Sequence, residues 1–346
     1  MSTMQTSLCT LCYIQKDNCY LMLHRVVKKN DVNKDKWIGV GGHFEADESP
    51  EDCLLREVRE ETGYTLTDYR FRGIVTFVSG DGVTEYMHLY TADGFTGKPI
   101  ACNEGVLEWV PKDKVWDLNL WEGDKIFFRL IDEDYPFFSL KLTYDGHGVL
   151  TEAILDGKAL ELFDIVDRDG NPAGLVKERG VAHLDGSPHP TVHTWITRTT
   201  SDGRVQVLLQ QRSHEKDAWP DCYDISSAGH IPHGSTPLAS AVREAKEELG
   251  LTIQEEDLQL LGHRLRERTR IFHDRPFHDC EYSTIYLYHL KNPNPGFVLQ
   301  ESEVARIRWM TLRELNLSLK NPAFPHCLDD EAELEMLRAT LQDSKA

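Results

Sequence analysis

Long apolar runs are missing: nowhere in the 346 residues does one approach the ~20 needed to cross a bilayer, so no membrane span is predicted. Positive charge is scarce as well. Against 57 Asp and Glu stand only 38 Lys and Arg, a net charge of −19, and general affinity for nucleic acid or anionic membranes would need a basic face. A polyanionic ligand must therefore be held locally, with a metal helping. Cysteine pairs are nearly absent. Of eight cysteines only Cys9 and Cys12 form a C-x-x-C, inside the apolar run Leu8-Cys-Thr-Leu-Cys-Tyr-Ile, with no second pair to complete a zinc site. That pair reads as part of a first core strand and the other cysteines as reduced thiols. No positive region precedes the apolar stretch after Met1-Ser-Thr-Met-Gln-Thr, which argues against a secretion signal and predicts a cytoplasmic protein.

What is present is a repeat. The length suits two domains, and one pattern occurs twice in the same order. Tyr20-Leu-Met-Leu-His-Arg25 is answered by Val207-Leu-Leu-Gln-Gln-Arg212, Trp37 by Trp219, Gly41-Gly42 by Gly229, and Arg56-Glu57 by Arg243-Glu244. A duplication follows, with domains over 1–155 and 156–346. The boundary is expected where turn formers gather, from Tyr144-Asp-Gly-His-Gly148 to Asp156-Gly-Lys158. Residues 159–200 read as hairpins, around a turn at Asp169-Gly-Asn. Asp330 to Leu341 has leucines at helical spacing, ahead of a Ser-Lys-Ala tail expected to fray.

In the first half, Ser49 is a good N-cap, Pro50 a good first helical residue and Gly63 a good stop, which predicts a helix from about 50 to 62. On it Glu57, Glu60 and Glu61 fall at i, i+3 and i+4, hence on one face. Like charges at those spacings repel by a few tenths of a kcal/mol, and acids in a last turn oppose the helix dipole by roughly 0.3–1 kcal/mol each. A cation beside them would relieve both. A hard divalent ion prefers carboxylate oxygens, keeps several waters and completes its shell with substrate phosphates. It would neutralise phosphate charge while a carboxylate deprotonates a water for in-line attack at phosphorus. The plainer alternative is an acidic solvated helix face.

The flanking pattern favours the metal. The spacing Gly42-x5-Glu48-x7-Arg56-Glu57-Val-x-Glu60-Glu61-x-Gly63 resembles the Nudix box position by position, with Tyr64 where that family usually has an aliphatic residue. The resemblance implies an α/β fold, an α/β/α sandwich with a mixed sheet, in tandem copies. It also implies hydrolysis of a nucleoside diphosphate linked to another group. Mg²⁺ is the expected cofactor, with Mn²⁺ as the alternative, held by Glu57, Glu60 and Glu61 together with Gly42; Arg56 belongs to the same catalytic set. Residues beyond the box look like the MutT-type oxidised-purine nucleoside triphosphatases. Glu104 matches their loop metal ligand, and Trp121-Glu122-Gly123-Asp124 is similar to their base-recognition segment, in which an indole stacks on the purine and acids read its edge. Two departures put base identity in doubt: Ile38 stands in place of an asparagine after Trp37, and Gly123 replaces one of the paired acids. Trp121 could equally be a core residue, Glu122 and Asp124 a solvated turn. Arg25, Trp37 and Arg212 complete the candidate substrate contacts, Arg25 being either a phosphate contact or a surface ion-pair partner.

The second box runs Gly229-His-Ile-Pro-His-Gly-Ser235 through Arg243-Glu244-Ala-Lys-Glu247-Glu248-Leu-Gly250, and repeats the helix and its acids as metal ligands. Ser235 replaces the first glutamate, which in the family supports the box arginine, so weakened orientation is expected rather than lost activity. Upstream, Asp164-Ile-Val-Asp-Arg-Asp-Gly170 through His183, His193 and Ala218-Trp-Pro-Asp-Cys-Tyr resembles isopentenyl-diphosphate isomerase-like Nudix proteins. Those isomerases carry a cysteine directly before the Gly-His of the box, where this chain has Ala228, and they lack the full Arg-Glu-x-x-Glu-Glu signature. Hydrolysis is the better reading, with a binding or regulatory module, or an isomerase, as alternatives for this half. His183, His193, His230, Asp279, Glu281 and Glu303 are candidate additional ligands, weighed against ordinary surface or loop roles. Arg264 to Arg270 could offer phosphate contacts or mark an exposed strand face.

Overall fold

The structure, a computed structural model, describes residues 5–27, 31–216, 218–272 and 275–343. The Ser-Lys-Ala tail lies outside the described residues. The chain divides into two compact units, the first comprising Met1–Leu162 with Leu175–Asp185, the second Phe163–Gly174 with Gly186–Ala346.

The first unit runs β1 (Gln5–Lys16), β2 (Cys19–His24), β3 (Trp37–Ile38), α1 (Pro50–Thr62), β4 (Tyr64–Val78), β5 (Val83–Gly97), β6 (Val106–Pro111), α2 (Glu122–Asp132), β7 (Phe138–Tyr144), β8 (Leu150–Leu155) and β9 (Lys158–Ala159). Its sheet has the order β3-β2-β1-β5-β4-β7-β8-β9, with β6 also on β2. The sheet is mixed, because β1 pairs β5 and β4 pairs β7 in parallel while β1–β2, β2–β6 and β4–β5 are antiparallel. Side chains alternate across the strands, so each face buries its own set. Cys12, Ile14, Leu21 and Val40 pack with Leu54 and Val58 of α1, whereas Tyr13, Tyr20, Leu140 and Leu142 pack with Ile126, Phe127 and Leu130 of α2. The result is a helix on each face of a mixed sheet. Cys9 and Cys12 are buried in β1.

Between these and the rest come β10 (Leu162–Val166), β11 (Pro172–Glu178) and α3 (Arg179–Asp185). The second unit continues with β12 (His189–Thr199), β13 (Val205–Arg212), β14 (Tyr223–Asp224), β15 (Ser227–His230), α4 (Pro237–Leu249), β16 (Leu258–Phe272), β17 (Arg275–His289), β18 (Val304–Thr311), α5 (Leu312–Leu319) and α6 (Glu331–Asp343). Its pairings repeat those of the first unit: β12 is parallel to β17 as β1 is to β5, and β13 is antiparallel to β18 as β2 is to β6. Val207, Leu209, Ile285 and Leu287 meet α6 through Leu334 and Leu337, and Ile196 and Leu208 meet α4 through Ala245 and Leu249.

The turn formers at 144–148 and 156–158 close hairpins inside the first unit, β7–β8 and β8–β9. Turn chemistry is the same whether a turn ends a domain or joins two strands of one sheet. Helix α3 falls in the segment whose pattern reads as hairpins.

Candidate active sites

Helix α1 begins on a capping box in which the Ser49 hydroxyl accepts from the Asp52 amide and the Asp52 carboxylate accepts from the Ser49 amide, and it ends on Gly63 in a left-handed conformation, φ 74°. These caps set the phase of its acids. Glu57 lies so close to the sheet that a Cβ on Gly42 would come within 2.5 Å of its carboxylate. Glu61 is 5% exposed and accepts the Gly41 amide at 3.0 Å. Burial pushes its carboxyl up to about 8; the Gly41 amide works against that, and the neighbouring Glu104 and Glu57 add to it. Glu60 points outward, 63% exposed, 3.6 Å from Arg56. The Arg56 guanidinium grips both oxygens of Glu48, at 2.6 and 2.8 Å, and donates to Glu57 at 2.6 Å and to the His43 carbonyl at 3.0 Å. Glu104, just ahead of β6, ion-pairs Arg25, whose Nε donates to Asp31 at 2.8 Å.

Glu61 is thus raised first by its burial and then by Glu104 and Glu57, which lie near enough to act on it. An all-oxygen donor set fits a hard divalent ion, whose charge would offset both the burial and the repulsion that raise Glu61. Glu57, Glu61 and Glu104 would hold it directly, with Glu60 at the solvent edge.

Next to Arg25, whose amide donates to the Lys36 carbonyl, lies a region built by β3 and the start of α2. Trp121, the N-cap of α2, donates its Nε1 to Asn33 at 2.8 Å and meets Phe77 and Tyr144 edge-on at centroid distances of 5.6 and 5.1 Å. Lys36 lies over its ring, 4.9 Å from the centroid, and donates to Asn119 Oδ1 and the Leu120 carbonyl. One face of Trp37 is stacked on His24, at 4.4 Å and 7°. Asp124 is buried; that burial pushes its carboxyl up to about 7, Lys36 pulling it down and Glu122 up. Glu122 pairs Lys125 at 3.0 Å. The Gly123 amide donates to the Tyr144 hydroxyl, and a Cβ there would lie 2.4 Å from that oxygen, so this position has no room for an acid while Tyr144 stays in place. Asn33, Lys36 and Asp31 carry no motif, and only their nearness to Trp37 along the chain points to them.

Helix α4 repeats the plan. Thr236 caps its start and Gly250 its end, φ 71°; a Cβ on Gly229 would lie 2.2 Å from the Glu244 carboxylate. Glu248 is buried, accepts from the Ala228 amide at 3.3 Å and Gln210 at 3.5 Å, and is pushed up to about 8, chiefly by burial. Arg243 reaches Glu244 at 2.7 Å, Glu247 at 2.8 Å and the His230 carbonyl at 3.2 Å. Arg212 turns away to the Ala218 carbonyl at 2.9 Å and Asp224 at 3.3 Å, while Glu303 ion-pairs Lys216.

The NUDIX domain profile matches residues 6–131 and 187–329, covering both helices and the strands that carry them. The chain belongs to the Nudix family. It is 39% identical over 170 residues to Nudix hydrolase 3 of Arabidopsis thaliana, a match covering 48% of this chain and 21% of that protein. The oxidized purine nucleoside triphosphate hydrolase of Danio rerio is 31% identical over 132 residues, 38% of this chain and 83% of the relative. The isopentenyl-diphosphate Delta-isomerase of Saccharopolyspora erythraea is 34% identical over 110 residues, 32% of this chain and 53% of the relative. This chain thus spans about a fifth of the Arabidopsis protein and about half of the isomerase. Nudix hydrolases as a family act on small molecules, generally with a divalent ion, and no described helix of this chain is long and apolar enough to cross a membrane.

This Nudix chain has a second group of ligand-type residues in its second unit. Ligand atoms of His189, Asp279 and Glu281 lie within 4.8 Å of one another, because β12 and β17 bring His189 level with Glu281. Both acids are raised, first by burial and then, for Glu281, by Asp279. They share a sheet face with His193, which pairs Glu333 of α6 at 3.0 Å; Trp195 donates to the same carboxylate at 2.8 Å. Burial opposes protonation of His193, but Glu333 overrides it and the imidazole is pushed up to about 9. His193 sits opposite Ala228 in the register of β12 and β15. His230 stacks on Phe163, and His183 belongs to α3, its ring paired with the Arg179 carbonyl. Of the arginines on β16, Arg264 and Arg266 pair with Asp330 and Asp329 at 3.1 and 3.0 Å, and Arg270 lies over Trp219.

Proposed function

We propose that the first unit hydrolyses 8-oxo-dGTP or a related oxidised-purine nucleoside triphosphate to the monophosphate and pyrophosphate, and that the second unit hydrolyses a different diphosphate. Mg²⁺ serves both, with Mn²⁺ able to replace it. The observation that carries the reading is the buried Glu61 with Glu57 and Glu104 near it, reproduced by Glu248 beside Glu244: in both copies a carboxyl is buried among other acids, where a dication would stabilise the charged forms. The bound ion supplies charge neutralisation on the phosphates. The chain's own groups do the rest. Glu57 and Glu61 accept the proton of the attacking water and fix its direction, Arg56 holds Glu57 in place, and Arg25 meets the phosphate chain.

At the base end, Asp124 with its raised carboxyl offers a donor or an acceptor to the purine edge and Lys36 offers a donor. The likeness to the Danio rerio hydrolase supports an oxidised purine, and the loss of two family positions, at Ile38 and Gly123, makes Lys36 and Asp124 the remaining polar readers. For the second unit, Ala228 has no titratable side chain where the isomerases have a thiol, and the full acid set of α4 favours hydrolysis. Action inside the cytoplasm on small molecules, without nucleic acid or membrane, fits the net negative charge.

The test uses the full chain with Mg²⁺ and a panel of 8-oxo-dGTP, dGTP, dinucleoside polyphosphates and isopentenyl diphosphate, following pyrophosphate, phosphate and isomer formation. Glu57→Gln with Glu61→Gln should abolish nucleoside triphosphate turnover and leave the second activity intact; Glu244→Gln with Glu248→Gln should do the reverse. Undiminished triphosphate turnover in the first variant would overturn the assignment.

A further inference from the structure

In both units the loop acid before the strand that pairs with β2 or with β13 is already held by a cation, and the two units achieve this with residues that do not correspond. Glu104, two residues before β6, is held by Arg25, the residue after β2. Glu303, directly before β18, is held by Lys216, four residues after Arg212 closes β13. Arg212 is the repeat partner of Arg25, yet it is committed to Ala218 and Asp224. A pairing inherited with the duplication would have kept Arg212 on Glu303. Instead the same charge arrangement is reached by a different side chain. Arg25 also acts on the acids behind Glu104: its guanidinium is the positive group that offsets the charge on Glu61, against Glu57 and Glu104.

Resting on the metal reading above, we propose that Arg25 and Lys216 are displaceable counter-ions. Each holds its loop carboxylate while no divalent ion is bound, gives that carboxylate up when the ion arrives, and is then free to meet the substrate's phosphates. Glu104 cannot face a guanidinium and complete a tight oxygen shell with the same lone pairs, and a guanidinium left beside a dication is repelled until an anion comes between them. Metal and phosphate therefore bind cooperatively, and by linkage each raises the other's affinity by the same factor. Asp31, on the far side of Arg25, is the tether that keeps the released side chain nearby.

The experiment is a Mn²⁺ titration of the full chain without nucleotide, free Mn²⁺ being read by electron paramagnetic resonance, with the second centre silenced by Glu244→Gln and Glu248→Gln. Arg25→Gln should tighten Mn²⁺ binding by about five-fold, the scale set by losing one competing, partly exposed ion pair. Arg25→Lys should stay near the parent, and Glu104→Gln should erase the gain in the double variant. Repeating the titration with inorganic pyrophosphate should show coupling in the parent that Arg25→Gln lowers. Should Arg25→Gln fail to fold, Lys216→Gln in a chain silenced at Glu57 and Glu61 gives the mirror measurement. Unchanged or weaker Mn²⁺ binding in the folded Gln variants, beside a parent that binds, overturns the counter-ion proposal and leaves the metal reading standing. A parent that binds no Mn²⁺ overturns the metal reading first.

Discussion

The two box helices have the same length, the same left-handed glycine at the C-terminus and the same buried last acid, but their arginines are held differently. In the first unit Glu48 takes both ends of the Arg56 guanidinium, which is left 20% exposed and aimed at Glu57. In the second, Ser235 offers no carboxylate, and Arg243 is 38% exposed and divides its bonds between Glu244 and the outward Glu247. An arginine clamped from behind can orient one acid. An arginine without the clamp is shared, and the acid it should orient is held less firmly. The duplication has kept the inward acids of the helix in both copies and relaxed their support in one.

The strongest way to break the likeness is at the feature both copies retain. Gly42→Ala and Gly229→Ala would each put a methyl group on the carboxylate that must face the ion, and a displacement of that size is worth at least about a hundredfold in kcat/KM. Steady-state kinetics on each unit's substrate should show equal losses. A mild effect in the second unit alone would mean that Glu244 does not act there as Glu57 does.

Smaller effects should follow the clamp itself. Glu48→Ser makes the first unit resemble the second and should lower its kcat/KM by about tenfold, with most of the change in kcat, since the substrate's own contacts survive. Ser235→Glu should move the second unit in the opposite direction by about threefold, the smaller size reflecting an arginine that already finds partners. If Ser235→Glu leaves turnover unchanged while Glu48→Ser lowers it, the second unit's site is limited by something other than the box arginine. At the base end, Lys36→Met should raise KM for an oxidised purine by roughly fivefold and leave kcat nearly alone, the size of one lost hydrogen bond to a charged donor.

How much of this could be read from the chain depends on whether the signal was local. Both helices lie where Ser49, Pro50 and Gly63, and the second glycine Gly250, predict them, because a cap is a short-range device. Glu57 and Glu61 turn inward as their spacing implies, but the same spacing leaves Glu60 at the solvent edge, since a helix face is wider than the contact it makes. What joins distant segments was not legible. Nothing in the order of residues sets Asp31 and Glu104 on either side of Arg25, lays Lys36 on Trp121, or brings α6 to His193 with Glu333. The Gly123 departure was visible as an oddity, and only the packing of Tyr144 and Leu142 explains it.

The smallest effect concerns the acids that the two units share most closely. Glu61 and Glu248 are both held up to about 8, so between the usual carboxylate range and that value the folded chain keeps protons that the unfolded chain has released. Their raised values therefore take stability away as pH rises through this window, and the metal-free protein should lose roughly 2–4 °C in Tm per unit between about pH 5.5 and 8 on their account. Glu61→Gln with Glu248→Gln, followed by calorimetry in EDTA, should flatten that slope. Divalent metal should reverse it in the parent, since an ion stabilises the charged forms, and its Tm gain should grow with pH. A parent and double variant with the same slope in EDTA would mean that these two carboxyls are already ionised in the metal-free protein, their neighbouring amides, at Gly41 and Ala228, sufficing to hold the charge.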